Sequence, residues 1–467
     1  MNVLTLDLGT SATKAGLWAD NRLIALTRAP IATAHPSPDR AEQDPEDWWR
    51  SVVDACAELR AGTPDVYSSL DAVGCAAARE TFACVDTNLR SLGPGILWSD
   101  TRAGDEALDL GDPVDFRRQT GVALGPGCCA AKMRWVQRHE TARFRDAAWF
   151  LSPRDFVLAR ITARVATDPT LASRTGVYDL GGAFIGDEAL GSRLPPVVSS
   201  LEREELANAD ELALPARALA ILGAGDRTCE VIGIGATAEA PMVSWGTTAN
   251  VSIPHPGPVD ALPTHGQVSR AAIDGFVIEA GLSIAGAALD WLTSLTGWAR
   301  GELLKAAADV PPGARGLLAF PWLYGARAPW WRPDVRGAFV GLANVHGPAE
   351  LARATVEGVA LDVARCIELL QPDAHALSLA GRGAEEPLWR TVVAGATGCS
   401  IIRHRFDDAA SVGARLLVGI AHREALGLTD VNPLVGEEPP APDLVDTYRA
   451  LKLESDRAAS RLMDSQA

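Results

Sequence analysis

The 467-residue chain has room for roughly two to four domains at about 150 residues each. Its 47% hydrophobic and 22% charged content is that of an ordinary globular protein. A formal net charge of −16 speaks against binding to nucleic-acid backbones, which takes clustered lysine and arginine. The eight cysteines include no C-x-x-C pair, which argues against a zinc ribbon or a thioredoxin-like site. No uncharged apolar run reaches the ~18 residues of a membrane span, and the chain opens on a strand-like run rather than a signal-peptide pattern. A cytoplasmic location is therefore expected.

From the N-terminus, residues 3–6, 15–18 and 22–26 alternate as strands do and are joined by short turns, which predicts three consecutive antiparallel strands. Asp44 and Pro45 suit the cap and first position of a helix. Its apolar stripe is Trp48, Trp49, Val52, Val53, Cys56 and Leu59. Short strands are predicted at 72–75 and 82–85, and strands mixed with helices in this irregular way point to layered α/β domains. The apolar run 218–222 leads into Gly223-Ala224-Gly225-Asp226. A second cycle begins near residue 240: a strand at 241–245, the turn Gly246-Thr247-Thr248 and a return strand at 251–253, echoing Leu6-Asp7-Leu8-Gly9-Thr10. An amphipathic helix over 351–370, a strand at 377–380, the turn Gly381-Arg382-Gly383-Ala384 and a helix near Pro387 follow. The Pro-rich residues 435–442 read as a loop before a charged C-terminal helix. Two domains of similar build are expected, 1–238 and 239–467.

The turns carry the chemistry. Asp7-Leu8-Gly9-Thr10-Ser11 puts a carboxylate at a strand end before a glycine turn with two hydroxyls. Such a turn can present backbone N–H groups and hydroxyls to phosphate, and the carboxylate suits water-mediated Mg²⁺, although a plain hairpin turn uses the same residues. Gly246-Thr247-Thr248 repeats the device without the carboxylate. Asp226 can accept a proton from a hydroxyl attacking a γ-phosphoryl group, or simply cap the next helix. An Arg79/Glu80 pair can bind vicinal hydroxyls and Trp98 can offer a flat face to a sugar; a surface ion pair and a core tryptophan are the plainer readings. The small residues of Gly381-Arg382-Gly383-Ala384 let an adenosine lie against backbone, on a motif that is weak alone.

Together these segments resemble the FGGY carbohydrate kinases nearly end to end. The resemblance is carried by Asp7 to Ser11 with Lys14, Glu42-Gln43-Asp44-Pro45 with Trp48-Trp49, Leu97-Trp98-Ser99-Asp100-Thr101-Arg102, Gly225-Asp226 and Trp245-Gly246-Thr247-Thr248. Ala285-Gly286-Ala287, Arg336 to Leu342, Arg353-Ala354-Thr355-Val356-Glu357-Gly358 and Gly383-Ala384 through Leu388-Trp389-Arg390 continue it. It implies two ribonuclease-H-like domains of the actin-like superfamily closing on a catalytic cleft, with the sugar held mainly by the first and ATP by the second. Asp226 matches the family's catalytic base, and Asp7 its Mg²⁺-associated carboxylate. Thr10, Ser11, Lys14, Gly246 and Thr247 match phosphate contacts, and Gly286, Asp290, Gly383 and Ala384 flank the nucleotide. Arg79, Glu80, Trp98, Asp226 and Arg227 are the expected sugar contacts.

Several positions depart from the pattern. Arg79-Glu80 matches the glycerol-kinase pair where xylulokinases usually carry Met-His, and Ala78 replaces a neighbouring Gln. Gly127 and Asn250 replace aromatic walls of glycerol kinases, which implies a wider, more polar pocket. Arg227 stands where Asn or Gln is usual, and Arg382 interrupts a run of glycines. With a second half that reads as xylulokinase-like, a pentulose is the first expectation. Glycerol, another polyol or an aldonate is the alternative, the last favoured if Arg79 and Arg227 both face the acceptor. A non-catalytic actin-like sensor of sugar or nucleotide is the alternative of another class. A small sugar or polyol is the expected partner, with neither nucleic acid nor membrane, and a homodimer is left open.

Overall fold

In the computed structural model, which describes residues 1–257, 263 and 266–465, the opening strands are Val3–Leu8, Ala12–Ala19 and Arg22–Pro30, antiparallel as expected. They form one side of a six-stranded sheet. Val3–Leu8 is followed across the sheet by Ala72–Ala77 and Leu219–Gly225, both parallel to it, and by the short antiparallel edge Arg203–Glu205. The helix Pro45–Gly62 begins where the sequence places it, with the Asp44 side chain accepting the Glu46 N–H. Its Trp48, Val52, Cys56 and Leu59 join Leu4, Leu6 and Leu8 in the core.

The chain divides into two compact units that are not its two halves. The first comprises Met1–Gly233, His255–Val277 and Ala409–Pro433; the second comprises Ile234–Pro254, Ile278–Asp408 and Leu434–Ala467. In place of a single cut near 238, a late helix returns to the first unit. That helix, Ala409–Ala421, fits because small residues meet it. A Cβ on Gly413 would fall on the Cys229 carbonyl and one on Gly233 on the Ala409 carbonyl. Thr5 and Ser411 hydroxyls hydrogen-bond at 2.6 Å.

The second unit repeats the topology. Met242–Trp245 pairs antiparallel with Ala249–His255 and parallel with Ala376–Ala380, which is parallel to Ser400–His404. In both sheets the first strand has an antiparallel neighbour on one side and two successive parallel strands on the other, so the sequence echo reports a repeated topology. Residues 435–442 are not all loop: Leu434–Glu438 is an edge strand antiparallel to Ser400–His404. The prolines that suggested a loop begin only at 439, leaving the preceding N–H groups able to pair, and Glu438 is clamped by Arg390 at 2.9 Å and Arg403 at 2.8 Å. The long helix Pro348–Leu370 carries a buried ion pair, Arg353 to Glu357 at 2.7 Å, which Tyr448 of the C-terminal helix Pro442–Ser465 completes. All eight cysteines are free and buried. Among the described residues no helix is long and apolar enough to cross a membrane.

Candidate functional site

In the first unit, Leu8, Ala77 and Gly225 lie level on three adjacent parallel strands. Asp7 is one residue before that level, Arg79 two beyond it and Asp226 one beyond it. With strands about 4.8 Å apart, the outer two chains are about 10 Å apart there. Candidate side chains from three separate segments thus gather at the carboxyl ends of parallel strands, the edge where open α/β sheets bind ligands.

The strand bearing Asp226 is shaped to deliver it. Its register with Ala72–Ala77 shifts between Ile221 and Ala224, and Gly223 takes φ +74° at a point where a Cβ would strike the Cys75 carbonyl. A Cβ on Gly225 would lie 2.7 Å from the Arg79 stem. Beneath the strand runs a network that the sequence reading did not anticipate. Gly225 N–H donates to Thr170 Oγ1 at 2.7 Å, and that hydroxyl donates to Asp168 Oδ2 at 2.7 Å. Fully buried Arg154 joins Asp168 at 2.7 Å and the Gly223 carbonyl at 3.1 Å. Asp226 starts the helix Asp226–Gly233 and accepts the Arg227 N–H at 2.6 Å.

Arg79 and Glu80 do not act as one pair. The Arg79 guanidinium reaches Asp226 Oδ1 at 3.4 Å. The Glu80 carboxylate is taken by buried Arg174, whose Nε donates at 2.9 Å and whose Nη2 donates to the same oxygen. Burial pushes the Glu80 carboxyl upward, but Arg174, Arg79 and Lys132 outweigh it and hold it below its usual range. Arg227 pairs with Glu230 one turn along the same helix, and burial pushes that carboxyl up despite the arginine. Arg79, Arg174 and Arg227 thus each face a carboxylate.

The Thr10 turn and Trp98 meet directly. Trp98, 46% exposed, donates its indole N–H to Thr10 Oγ1 at 2.9 Å, so it is a half-open face and not a core residue. Gln43 donates to the Thr10 carbonyl at 2.6 Å and accepts from Trp48, while Asp100, Arg102 and Glu42 form a buried ion cluster behind Trp98. Lys14 lies opposite Asp7 in the hairpin and reaches its Oδ2 at 3.4 Å. Ser11 accepts from Arg28 at 3.2 Å. A Cβ on Gly127 would make ordinary contact with the Trp98 and Asp100 carbonyls, 3.5 and 3.6 Å away.

In the second unit the candidates converge on Trp245, Gly246 and Thr247. Gly286 N–H donates to the Gly246 carbonyl at 3.0 Å and Ala285 N–H to the Thr247 carbonyl at 2.9 Å. A Cβ on Gly286 would meet that Gly246 carbonyl at 2.6 Å. Gly381 (φ +80°) and Gly383 both pack on Trp245, at 2.6 Å from its carbonyl and 2.5 Å from its Cδ1 if a Cβ were added. Ala384 is buried beside them. Asp290 pairs with Arg300 at 3.1 Å, both partly solvated. The side chain of Arg382 lies outside those described.

Two units of one topology, each with glycine turns at the carboxyl ends of parallel strands, define a two-domain α/β protein of the ribonuclease-H-like, actin-like kind. The N-terminal domain of the FGGY family of carbohydrate kinases matches residues 2–189, and the C-terminal domain matches residues 242–422. The chain belongs to the FGGY family of carbohydrate kinases, phosphotransferases whose acceptor is a sugar hydroxyl. It is 32% identical to a xylulose kinase of Klebsiella pneumoniae, with 94% of each chain covered, and 24% identical to a gluconokinase of Bacillus subtilis over 96% and 94%. Among solved structures, a kinase of Brucella ovis described as a xyloylose kinase superposes with a TM-score of 0.91 at 26% identity, covering 99% of this chain and 100% of that one.

Proposed function

We propose that the chain transfers the γ-phosphoryl group of ATP to a hydroxyl of a neutral sugar of pentulose size. The observation that carries this reading is the gathering of Asp7, Arg79 and Asp226 at the ends of three neighbouring parallel strands. Asp226 is the general base. It takes the proton of the attacking hydroxyl, Arg79 orients its carboxylate, and Glu80 and Trp98 hold the sugar. A base of this kind contributes about 10²–10⁴-fold, the remainder coming from positioning and charge neutralisation. Thr10 already accepts from Trp98, so its own hydroxyl proton is available to a phosphate oxygen, with Ser11 and Lys14 beside it. Gly246, Thr247, Gly286, Asp290, Gly383 and Ala384 take the nucleotide.

Mg²⁺ fits this donor set. Asp7 supplies a carboxylate oxygen at a strand end, the donor type taken by an ion that keeps several waters and completes its shell with phosphate oxygens. Asp7 would hold it through water, and the bound ion would offset charge on those oxygens.

Charge supports a neutral acceptor over an aldonate. Arg79, Arg174 and Arg227 each already face a carboxylate, so an acidic substrate would have to displace one of them. Gly127 carries no side chain next to the Trp98 carbonyl, where a bulky residue would narrow the pocket, and this supports an acceptor larger than glycerol. The xylulose kinase relative points the same way. The test is Asp226→Ala. It is expected to abolish turnover while ATP binding, measured by calorimetry, stays within about twofold; a variant retaining most of the wild-type kcat would remove the base assignment.

A further inference from the structure

We propose that Arg174 is a positioning residue that sets acceptor specificity by pinning one oxygen of Glu80, leaving the other to receive a substrate hydroxyl. This rests on the sugar-kinase reading above. Glu80 sits in the turn after Ala72–Ala77 at φ +59°, a conformation that must be held in place. Two buried cations hold it. Lys132, fully buried on the helix Cys129–His139, donates to the Glu80 carbonyl at 3.0 Å and to the Leu97 carbonyl at 2.7 Å, tying the turn to the segment of Trp98. Arg174, whose side chain is 4% exposed against 22% for Glu80, directs Nε and Nη2 to Oε1 of the carboxylate and shares Nη2 with Gln267 Oε1.

The exposure gradient gives the arrangement a direction. Burying a guanidinium is costly unless it is paired, so Arg174 belongs to Glu80. The carboxylate is more exposed than the guanidinium that holds it, and among the described residues its Oε2 takes no hydrogen bond, which leaves an acceptor that cannot donate. Such a group selects a hydroxyl and disfavours a carboxylate at the same place, by like-charge repulsion. The groups that face Glu80 are Arg174, Arg79 and Lys132, with the thiols of Cys128 and Cys129 nearby. Burial raises both thiols, Cys129 to about 12, so they stay neutral. Without Arg174, burial would win and Glu80 would protonate at a higher pH. A lowered carboxyl contributes stability above its ordinary range that is lost as pH falls through its folded value, and in the variant the loss would begin at a higher pH.

The experiment compares wild type, Arg174→Met and Arg174→Lys. Turnover of a neutral pentulose by the wild type tests the earlier reading; the ratios among the three proteins test this one. Arg174→Met is expected to raise the sugar KM about tenfold or more while the ATP KM changes by less than about twofold. It should also move the acid limb of kcat/KM upward and weaken discrimination against gluconate, and Arg174→Lys should restore part of each. Independently of turnover, a ¹³C-carboxyl NMR titration, assigned with Glu80→Gln, should find Glu80 titrating below the ordinary glutamate range in the wild type, above it in Arg174→Met and between the two in Arg174→Lys. An unmoved acid limb with an unchanged sugar KM, or a Glu80 resonance that titrates alike in all folded proteins, overturns the proposal.

Discussion

Trp245 is 2% exposed and packed on Trp389 with ring centroids 4.7 Å apart, and Gly383 lies flat against it. Sequence alone offers clearance for an adenosine as the reason for that glycine. Packing on Trp245 is a sufficient reason without any nucleotide. Gly383→Ala is therefore expected to cost about 1–3 kcal/mol of stability, the usual range for overpacking a well-filled site, read as a lower urea midpoint in the absence of ATP. An unchanged midpoint with a raised ATP KM would show that the glycine serves the nucleotide alone and not the packing on Trp245. The acceptor side teaches the same lesson. Asp7, Asp226 and Trp98 are visible in the sequence because each ends or follows a recognisable run. Arg174 and Lys132, which hold Glu80, are not, since a contact between Glu80 and a side chain 94 positions away leaves no periodic trace.

The element that couples these residues is the short helix Pro169–Ala172 with the turn Ser173–Thr175. At one end Thr170 and Asp168 carry the Gly225 N–H, next to Asp226; at the other Arg174 carries Glu80. Thr170→Val keeps the shape and removes the hydroxyl. It should leave Gly225 N–H unpaired at a cost of about 1–3 kcal/mol in stability and lower kcat by about tenfold, equivalent to ~1.4 kcal/mol, with the sugar KM little changed. Equal kcat in the two proteins would show that this support is not transmitted to Asp226. Strands and helices were largely legible, because alternation and the Asp44–Pro45 start are local signals. The edge strand Leu434–Glu438 was not, because its pairing depends on Ser400–His404 and the prolines just beyond it dominated the reading.

At the scale of the whole molecule, the repeat of one topology was legible in the echo between the Asp7 turn and the Gly246 turn. The return of Ala409–Pro433 to the first unit was not. That return depends on glycines at 16, 74, 233 and 413, scattered through the chain, which bring backbones and the helix Ala409–Ala421 into close approach. The charge pattern is likewise a property of the folded chain. The sequence counts Arg79 and Arg227 as cations near an acceptor, whereas the fold gives each a carboxylate partner. The central claim, phosphoryl transfer from ATP to a neutral pentulose, is tested most directly by a coupled ADP-release assay comparing kcat/KM for xylulose, ribulose, erythritol, gluconate and glycerol. The account predicts that a pentulose leads gluconate and glycerol by about tenfold or more, ~1.4 kcal/mol of transition-state preference. Glycerol or gluconate leading by that margin, or ATP binding with no turnover of any acceptor, would contradict it.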